Sequence, residues 1–578
     1  MNKNLLTLTC AALLLTACPE MPIDENDAGD SGSMMNVDAG LDAGKVDAGK
    51  MDAGKTDAGD GGGTDAGDSG VDSGFDAGFD AGAPKEWVGI IGNGQSLSVG
   101  VSFGYAPPIS VTQPFGAKKL VDLTSMYALS GAGTWQMVPL VEPYRVKTCT
   151  LCYEYPNNVV GESPHTGMAI QLSALSLARD AGDFMSVHSI TGTSGAALAS
   201  INKTGLPDGG VRPPYLAGLM ETRVYKNLAA DAGAKYRVGG VIFTHGESDW
   251  NNPNYASELH TLWSDYNTDL KAITGQTQNI PIFLSQQNSF PGAVDAGFTL
   301  SPNDQWKVAV TYPGEFVCVG PKYAYSYSDT VHLSSSGYHR LGEKYGQAFD
   351  RVVNQGLPFK PLYPIATSLS GNKITVTFHV PVPPMAWDDH IALSHQNNHK
   401  AWKDGHGFEA EDSTGQLTIT SATIVGNTVE LILNNAPTGT GLTVRHAQTP
   451  DGYPTADGGF AFSGAYFANT SGGHVGYLRD SDPFRGAWSQ TIRVNATAGS
   501  TTYAVLDAGG STERWNKYDM LESPHLPSDA RMVSRTADGG SFVANRPWDA
   551  GSGPANIVVR HDHRNWAVQF FLPVPYTE

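Results

Sequence analysis

From Trp87 onward the chain alternates short apolar segments with longer helical segments, and several of the apolar segments end in glycine-rich turns. Short apolar runs bounded by glycine are typical of buried strands. Strands that alternate with helices form a mostly parallel sheet with helices on both faces. We therefore predict an α/β domain over residues 85–358. Its predicted strands are 88–91, 184–190, 237–244, 280–285 and 316–319, and its predicted helices are 166–179, 255–273 and 336–354.

The pattern changes after Pro358-Phe359-Lys360-Pro361, where β-branched residues alternate with polar ones between Asn and Gly turns. This alternation is typical of half-buried antiparallel strands. It predicts an all-β, sandwich-like region over residues 359–578, in one or two lobes, with a polar insertion near 500–550. The strongest predicted strands are 373–380, 416–425, 428–433, 441–446, 555–559 and 566–572.

The first residues have the pattern of an export signal. Lys3 precedes a short apolar core, and Thr16-Ala17-Cys18 follows it. A basic start, an apolar core and small residues at the end predict a cleaved signal over residues 1–17, and the core is too short to span a membrane. The end of this segment resembles a bacterial lipobox, which implies lipid attachment to Cys18; a conventional cleaved signal is the alternative. Pro19, in place of Asp, favours an outer-membrane lipoprotein facing the periplasm or the cell surface.

Residues 18–84 form a low-complexity segment built on repeated Asp-Ala-Gly triplets. The stretch 19–84 holds 16 acidic and 3 basic side chains, a balance of −13. Such a segment buries too little apolar surface to fold, and its like charges extend it. It is predicted to be a disordered tether. Calcium binding is the alternative, but one carboxylate in five residues does not make a cage of six to eight oxygens.

The charge and cysteine patterns exclude several classes of partner. Of the net charge of −20, about −7 remains outside the tether (−20 minus −13), and no basic patch of the kind that nucleic acid requires is present. We expect no nucleic-acid partner, and membrane contact only through the lipid on Cys18. Outside the cytoplasm, Cys149 and Cys152 indicate a small loop disulfide, because no second Cys or His pair at zinc spacing accompanies them. No metal or cofactor is expected.

The candidate nucleophile is Ser96, which follows the first strand in Gly92-Asn93-Gly94-Gln95-Ser96. In open α/β sheets, ligands bind at the carboxyl ends of the strands. A hydroxyl nucleophile needs a base within hydrogen-bond reach and an acid that orients the base. Asp329 and His332, three residues apart before the last helix, supply both types. The alternatives are an ordinary strand–loop at Ser96 and a surface turn at Asp329–His332.

Two more stretches lie where a site would form. Thr244-His245-Gly246-Glu247-Ser248-Asp249-Trp250 follows a buried strand, and residues 161–167 open a helix whose first amides suit a negative oxygen. Glu247 and Asp249 have a structural alternative, and His165 is expected to lie in a surface loop.

In this order, these stretches resemble the SGNH/GDSL hydrolase superfamily, and within it the sialate O-acetylesterase and carbohydrate esterase family 6 group. The resemblance covers roughly residues 87–355 and implies a flavodoxin-like α/β fold. It rests on five blocks, which are Gly94-Gln95-Ser96, 161–169, 192–195, 244–249 and Asp329-Thr-Val-His332-Leu333.

The resemblance implies a role for each matching residue. Ser96 would be the nucleophile, His332 the base and Asp329 its orienting acid. The backbone amides of Ser96 and Gly167 would face the oxyanion, with Gly161 as the alternative to Gly167. His245, where the family usually has Gln, would be a third donor, although it would carry charge at low pH. Gln95 and Glu247 would support the site.

The expected activity is that of a serine esterase that removes O-acetyl groups from carbohydrates through an acyl-enzyme, with acetylated sugar as its substrate. Two alternatives stay open: a non-catalytic glycan-binding surface lipoprotein, and an esterase that acts on a non-sugar ester such as a lipid.

Overall fold

The computed structural model describes most of the chain from Glu86 onward. The described residues are 86–100, 108–122, 134–145, 161–205, 213–288, 299–325, 331–387, 404–448, 453–454, 460–461, 476, 478–507, 521–522, 532–535, 541–544, 547–548 and 551–578. The predicted signal, Cys18 and the predicted tether lie outside them, as do Cys149, Cys152 and Asp329. Within the described part of the chain, no helix combines the length and apolarity needed to cross a membrane.

A seven-stranded sheet forms the centre of the α/β part. Its order is β3-β2-β4-β1-β5-β6-β7, and every neighbouring pair is parallel except β2 with β3. The strands are β1 (Glu86–Gly94), β2 (Lys118–Asp122), β3 (Trp135–Pro139), β4 (Ser186–Ile190), β5 (Lys235–Thr244), β6 (Ile282–Gln286) and β7 (Phe316–Pro321). The helices are α1 (Ser96–Val99), α2 (Pro164–Ala178), α3 (Leu198–Ile201), α4 (Pro214–Asp231), α5 (Tyr255–Thr274), α6 (Ser301–Thr311) and α7 (Ser335–Phe349), the last continued by a π-helical turn, Asp350–Asn354.

Helices cover both faces of this sheet. Successive side chains on a strand point to opposite faces, and β1 shows the consequence. Ile91 packs with Tyr266 of α5 on one face, whereas Ile90 packs with Tyr345 of α7 on the other. Continuously apolar strands are required because both faces are buried. The predicted parallel α/β fold is confirmed.

The two helices nearest the candidate site begin at serine caps. The Ser163 side chain accepts a hydrogen bond from the His165 amide, and Pro164 occupies the first turn of α2, where its missing N–H is not needed. The Ser334 side chain accepts one from the Gly337 amide at the start of α7. These caps set the points at which the loops before α2 and α7 end.

The predicted elements of this part are present, with ends shifted by a few residues, but the prediction was incomplete. It missed α1, α3, α4, α6 and the strands β2 and β3. The strands β2 and β3 lie at one side of the sheet, and β3 is antiparallel at its edge, so they lack the apolar runs that identify the central strands.

The C-terminal part is built from antiparallel strands, as predicted. One sheet has the order β12-β11-β15-β25, a second has β13-β14-β9-β8-β26, and β19-β20-β23-β22-β21-β24 close into a barrel. The strands are β8 (Tyr363–Ser370), β9 (Lys373–His379), β10 (Ala386–Trp387), β11 (Phe408–Asp412), β12 (Gly415–Leu417), β13 (Ile419–Val425), β14 (Thr428–Leu433), β15 (Thr443–His446), β16 (Tyr453–Pro454), β17 (Phe460–Ala461), β18 (Leu478–Arg479), β19 (Arg485–Ala496), β20 (Thr502–Asp507), β21 (Leu521–Glu522), β22 (Met532–Arg535), β23 (Ser541–Ala544), β24 (Gly553–Asp562), β25 (Phe570–Pro573) and β26 (Tyr576–Thr577).

Two details of the C-terminal prediction are wrong. The stretch 500–550 is not only a polar insertion, because it contributes β20, β21, β22 and β23 to the barrel. The predicted strand 416–425 is divided between β12 and β13, which belong to different sheets. A barrel strand shows one face to water, so its composition is half polar and is easily taken for a loop.

The two sheets share an apolar core with the α/β part. Trp306 of α6 and Cys318 of β7 lie in the same buried cluster as Phe378, Leu431 and Phe570 of the sheets. Burial raises the pKa of the Cys318 thiol to about 12, so this cysteine is an inert core residue.

Candidate active site

Ser96 lies at the carboxyl end of the central strand β1, as its first residue beyond a tight turn. Gly94 adopts φ +137°, and a Cβ there would lie 2.4 Å from the Thr244 carbonyl oxygen, so only glycine fits. The carbonyl of Gln95 accepts hydrogen bonds from the Ser98 and Val99 amides and starts α1. The turn therefore places the Ser96 hydroxyl at the edge of the sheet, with 6% of the residue exposed.

His332 lies far from Ser96 along the chain but next to it in the fold. Its Nε2 lies 2.9 Å from Ser96 Oγ, although the two residues are 236 positions apart. His332 is nearly buried and lies in the bend just before the Ser334 cap of α7. A serine hydroxyl within hydrogen-bond distance of an imidazole nitrogen is the arrangement that nucleophilic catalysis requires. Asp329, the predicted orienting acid, lies outside the described residues.

Two loops converge on Gln95, the residue before Ser96. Gln95 Oε1 accepts a hydrogen bond from the Ser248 amide at 3.3 Å. Ser248 Oγ donates to the Gly195 carbonyl at 3.1 Å, and the Thr193 amide donates to the Gly94 carbonyl at 2.9 Å. The ends of β4, β1 and β5 are thus tied together around Ser96, and Gln95 lies where site support was predicted.

Glu247 forms a buried ion pair with Lys322. Lys322 Nζ lies 2.5 Å from Glu247 Oε1, with side chains 0% and 6% exposed. Burial lowers the pKa of Lys322, and Glu247 opposes that change. The pair joins the loop after β5 to the end of β7. The sequence prediction named Glu247 but missed Lys322; its signal was a lysine directly after a buried strand, where few lysines occur unpaired.

Both ring nitrogens of His245 are bonded to residues other than the nucleophile, which corrects its predicted role as an oxyanion donor. Its Nε2 lies 3.0 Å from the Ala196 carbonyl and its Nδ1 lies 3.0 Å from the Tyr255 hydroxyl. A carbonyl only accepts, so Nε2 carries the proton and Nδ1 accepts from Tyr255. The ring is fully buried, and burial lowers its pKa. His245 therefore braces the two loops, and burial favours its neutral form.

Gly167 lies in the first turn of α2, at the helix start where it was predicted. It is the fourth residue of α2, and a Cβ on it would lie 2.4 Å from the His339 carbonyl oxygen of α7. Gly342 of α7 makes the corresponding close contact on the other helix, because a Cβ there would lie 2.1 Å from the Pro164 carbonyl oxygen of α2. The two glycines let the helices approach closely, so helix packing by itself explains why position 167 is glycine.

We expect Gly167→Ala to destabilise the protein by about 1–3 kcal/mol, because the added methyl overpacks a rigid backbone contact. The free energy of unfolding in denaturant measures this. Gly218→Ala on α4 is the control, since its Cβ would meet Ile91 at 3.3 Å and helix propensity favours alanine; it should stay near the wild type. If Gly167→Ala has the stability of the wild type but hydrolyses esters more slowly, the result would support the predicted role of Gly167 in the oxyanion hole.

The segment before α2 is held by two buried carboxylates beside the site. Glu162 accepts hydrogen bonds from the Ile109 amide at 2.8 Å and the Ser110 amide at 3.0 Å. Glu142 accepts from Ser163 and Thr166, and burial, with Glu162 nearby, raises the pKa of Glu142 to about 7. Its protonation state therefore changes near neutral pH.

His165 is not a surface loop residue, contrary to expectation. It lies in the first turn of α2 with 1% exposure, and its Nδ1 is 3.0 Å from His188 Nδ1. Burial lowers the pKa of His165 to about 3, so the ring is neutral and serves the core.

Residues 213–351 match a family model described as carbohydrate esterase, sialic acid-specific acetylesterase. The chain carries a carbohydrate esterase domain. The resemblance drawn from the sequence blocks is confirmed, and the protein is a carboxylic ester hydrolase. The matched segment of the esterase domain includes His245, Glu247 and His332 but begins after Ser96, so the assignment of Ser96 depends on its distance to His332.

Several solved structures are similar to part of this chain. A protein from Arabidopsis thaliana is 16% identical, with 46% of this chain and 98% of that one covered and a TM-score of 0.34. A carbohydrate acetylesterase from Xanthomonas citri is 14% identical, with 69% and 81% covered and a TM-score of 0.41. A carbohydrate acetylesterase from Sinorhizobium meliloti is 15% identical, with 45% and 97% covered and a TM-score of 0.23. A search of curated protein sequences found no match.

Proposed function

We propose that this protein is a serine esterase that removes O-acetyl groups from carbohydrates. The observation that carries the proposal is the 2.9 Å separation between Ser96 Oγ and His332 Nε2. The match of residues 213–351 to sialic acid-specific acetylesterases supports acetylated sugar as the substrate class, either sialate or a plant or bacterial polysaccharide.

In the proposed first step, Ser96 Oγ attacks the carbonyl carbon of the acetyl ester while its proton passes to His332 Nε2. The tetrahedral intermediate then collapses, and His332 gives the proton to the departing sugar oxygen. Water then attacks the acetyl-serine while His332 takes its proton; the acyl–Oγ bond breaks, His332 returns the proton to Ser96 Oγ, and acetic acid leaves and ionises to acetate. Asp329 is proposed to orient His332. Gln95 and Glu247 keep the surrounding loops in place.

The proposed oxyanion hole contains the backbone amide of Ser96 and a second amide from the loop 192–195. This loop replaces Gly167 and His245 in the proposal because it is bonded to the Gly94 carbonyl, immediately before Gln95 and Ser96. Donors on a fixed backbone stabilise the developing charge without reorganising during the reaction.

We further propose, from residues 1–84 alone, an outer-membrane lipoprotein attached through Cys18, with the Asp-Ala-Gly segment holding the enzyme away from the bilayer. This segment is long and rich in Asp, and repulsion between its like charges supports an extended spacer.

A panel of esters tests the substrate class. We expect acetate release from acetylated xylan or O-acetyl sialic acid with a kcat/KM at least ~10-fold higher than for a short lipid ester, since sugar contacts add transition-state binding. The measurement is released acetate against substrate concentration. A preference for the lipid ester would indicate an esterase of non-sugar esters. No hydrolysis of any ester would favour a non-catalytic glycan-binding protein.

A further inference from the structure

A second cluster of ionisable side chains joins α7 to the C-terminal barrel. Glu343 Oε2 lies 2.7 Å from His561 Nδ1 and 2.8 Å from His563 Nε2. The three side chains are 0%, 2% and 1% exposed, so the cluster is closed to bulk water. Within the described part of the chain, it is the group of three or more His, Cys, Asp or Glu residues arranged closely enough to hold a metal ion.

The backbone presents these ligands from two rigid elements. His561 lies near the end of β24, and His563 follows two residues later, so both rings face the same side of an extended chain. Glu343 projects from α7, a helix buried along most of its length. Two imidazoles and one carboxylate are a common ligand set for zinc-class ions.

A bulge in β19 closes over the carboxylate and orients it. The pairing of β19 with β24 passes from Arg485–Asp562 directly to Ser489–Arg560, which frees the residues between Arg485 and Ser489 from the ladder. There the Trp488 amide donates to Glu343 Oε1 at 2.8 Å, and a Cβ on Gly486 would lie 2.3 Å from Oε2. A ligating carboxylate whose other oxygen accepts a hydrogen bond is the usual outer-shell arrangement of a metal site.

We propose that Glu343, His561 and His563 form a structural site for a zinc-class divalent ion that fastens the C-terminal barrel to α7. His339, one turn before Glu343 on α7, lies beside these three residues, with Nε2 3.9 Å from Glu343 Oε1. The sequence analysis missed the site because Glu343 lies more than 200 residues before the His561-x-His563 pair, and that pair does not by itself identify a third ligand.

Metal analysis of the full chain, purified without a histidine tag, tests the proposal. We expect about one zinc ion per chain in the wild type after gel filtration, and loss of that ion in Glu343→Gln and His563→Gln. A chelator should lower the melting temperature of the wild type by at least ~2–4 °C, and added Zn²⁺ should restore it. Co²⁺ added to the stripped wild type should give the visible absorption of a tetrahedral nitrogen–oxygen site.

His446→Gln is the matched control. His446 is equally buried, and its Nδ1 lies 3.1 Å from the Val568 carbonyl rather than near a carboxylate. This variant should keep the ion even if it is less stable. The proposal is overturned if the stripped wild type binds neither Zn²⁺ nor Co²⁺ and the chelator does not change the melting temperature of the untreated wild type. The cluster would then be a hydrogen-bonded contact without a metal. Retention of the ion by both Glu343→Gln and His563→Gln also overturns it. None of these readouts involves acetate release, so they stand apart from the proposed esterase activity.

Discussion

Ser96→Ala is expected to reduce acetate release by about 10⁴–10⁶-fold, because the reaction loses its nucleophile while the substrate site stays intact. The hydroxyl makes one short contact, 2.9 Å to His332, and 6% of the residue is exposed, so alanine fits without strain. The measurement is kcat and KM on an acetylated sugar. KM should change much less than kcat, since the hydroxyl does little for ground-state binding.

Two further variants, His332→Ala and the double variant Ser96→Ala/His332→Ala, test whether the two residues act together. The two residues act as a unit, so the double variant should be about as slow as either single one. Ser98→Ala is the matched control: Ser98 lies two residues later on α1 and is 1% exposed, and Ser98→Ala should keep near wild-type activity. Equal acetate release by wild type and Ser96→Ala would show that another group performs the hydrolysis.

Lys322→Met is expected to lower the free energy of unfolding by about 3–5 kcal/mol, because it leaves the Glu247 carboxylate buried without its cation. The ion pair is almost completely buried, with Nζ 2.5 Å from Oε1. We also expect kcat to fall about 10- to 100-fold, since the Glu247 loop carries the Ser248 amide that holds Gln95, and small misplacements at a site are costly. Denaturant unfolding and acetate release measure the two effects.

Two variants calibrate the Lys322 result. Lys373 pairs with Glu430 at 2.7 Å, but their side chains are 37% and 31% exposed, so Lys373→Met should change stability by only ~0–1 kcal/mol. The double variant Lys322→Met/Glu247→Gln should recover much of the loss, because neither remaining group is charged. If Lys322→Met is no more destabilising than Lys373→Met, the buried pair does not support the site.

Local patterns were sufficient for the parts of the fold that repeat along the chain. Apolar runs with glycine at their ends identified the central strands, and Gly94 before Ser96 marked the turn that only glycine can make. Asp329-x-x-His332 before a helix marked the base. These features depend on backbone geometry and solvent exposure within a few residues, which the order of residue types encodes directly.

Local patterns did not reveal which buried polar groups pair with one another. His245 and Gly167 were assigned to the oxyanion hole by their position beside a strand end and a helix start. Their actual roles depend on Tyr255, Ala196 and His339, which lie on other elements. A buried polar group must find a partner, but nothing in its own segment says which one.

The sequence by itself determined the α/β domain, the antiparallel region that follows it, and the identity of Ser96 and His332 as a pair. Only the tertiary structure decided that Lys322 neutralises Glu247, that His245 braces two loops, and that Glu343 meets His561 and His563. The physical reason is distance along the chain. Strand and helix patterns are set by neighbouring residues. The contacts of Lys322 and of Glu343 join residues that lie from 75 to 220 positions apart, and His245 bonds the Ala196 carbonyl, 49 positions away. They exist only once the sheet and barrel have assembled.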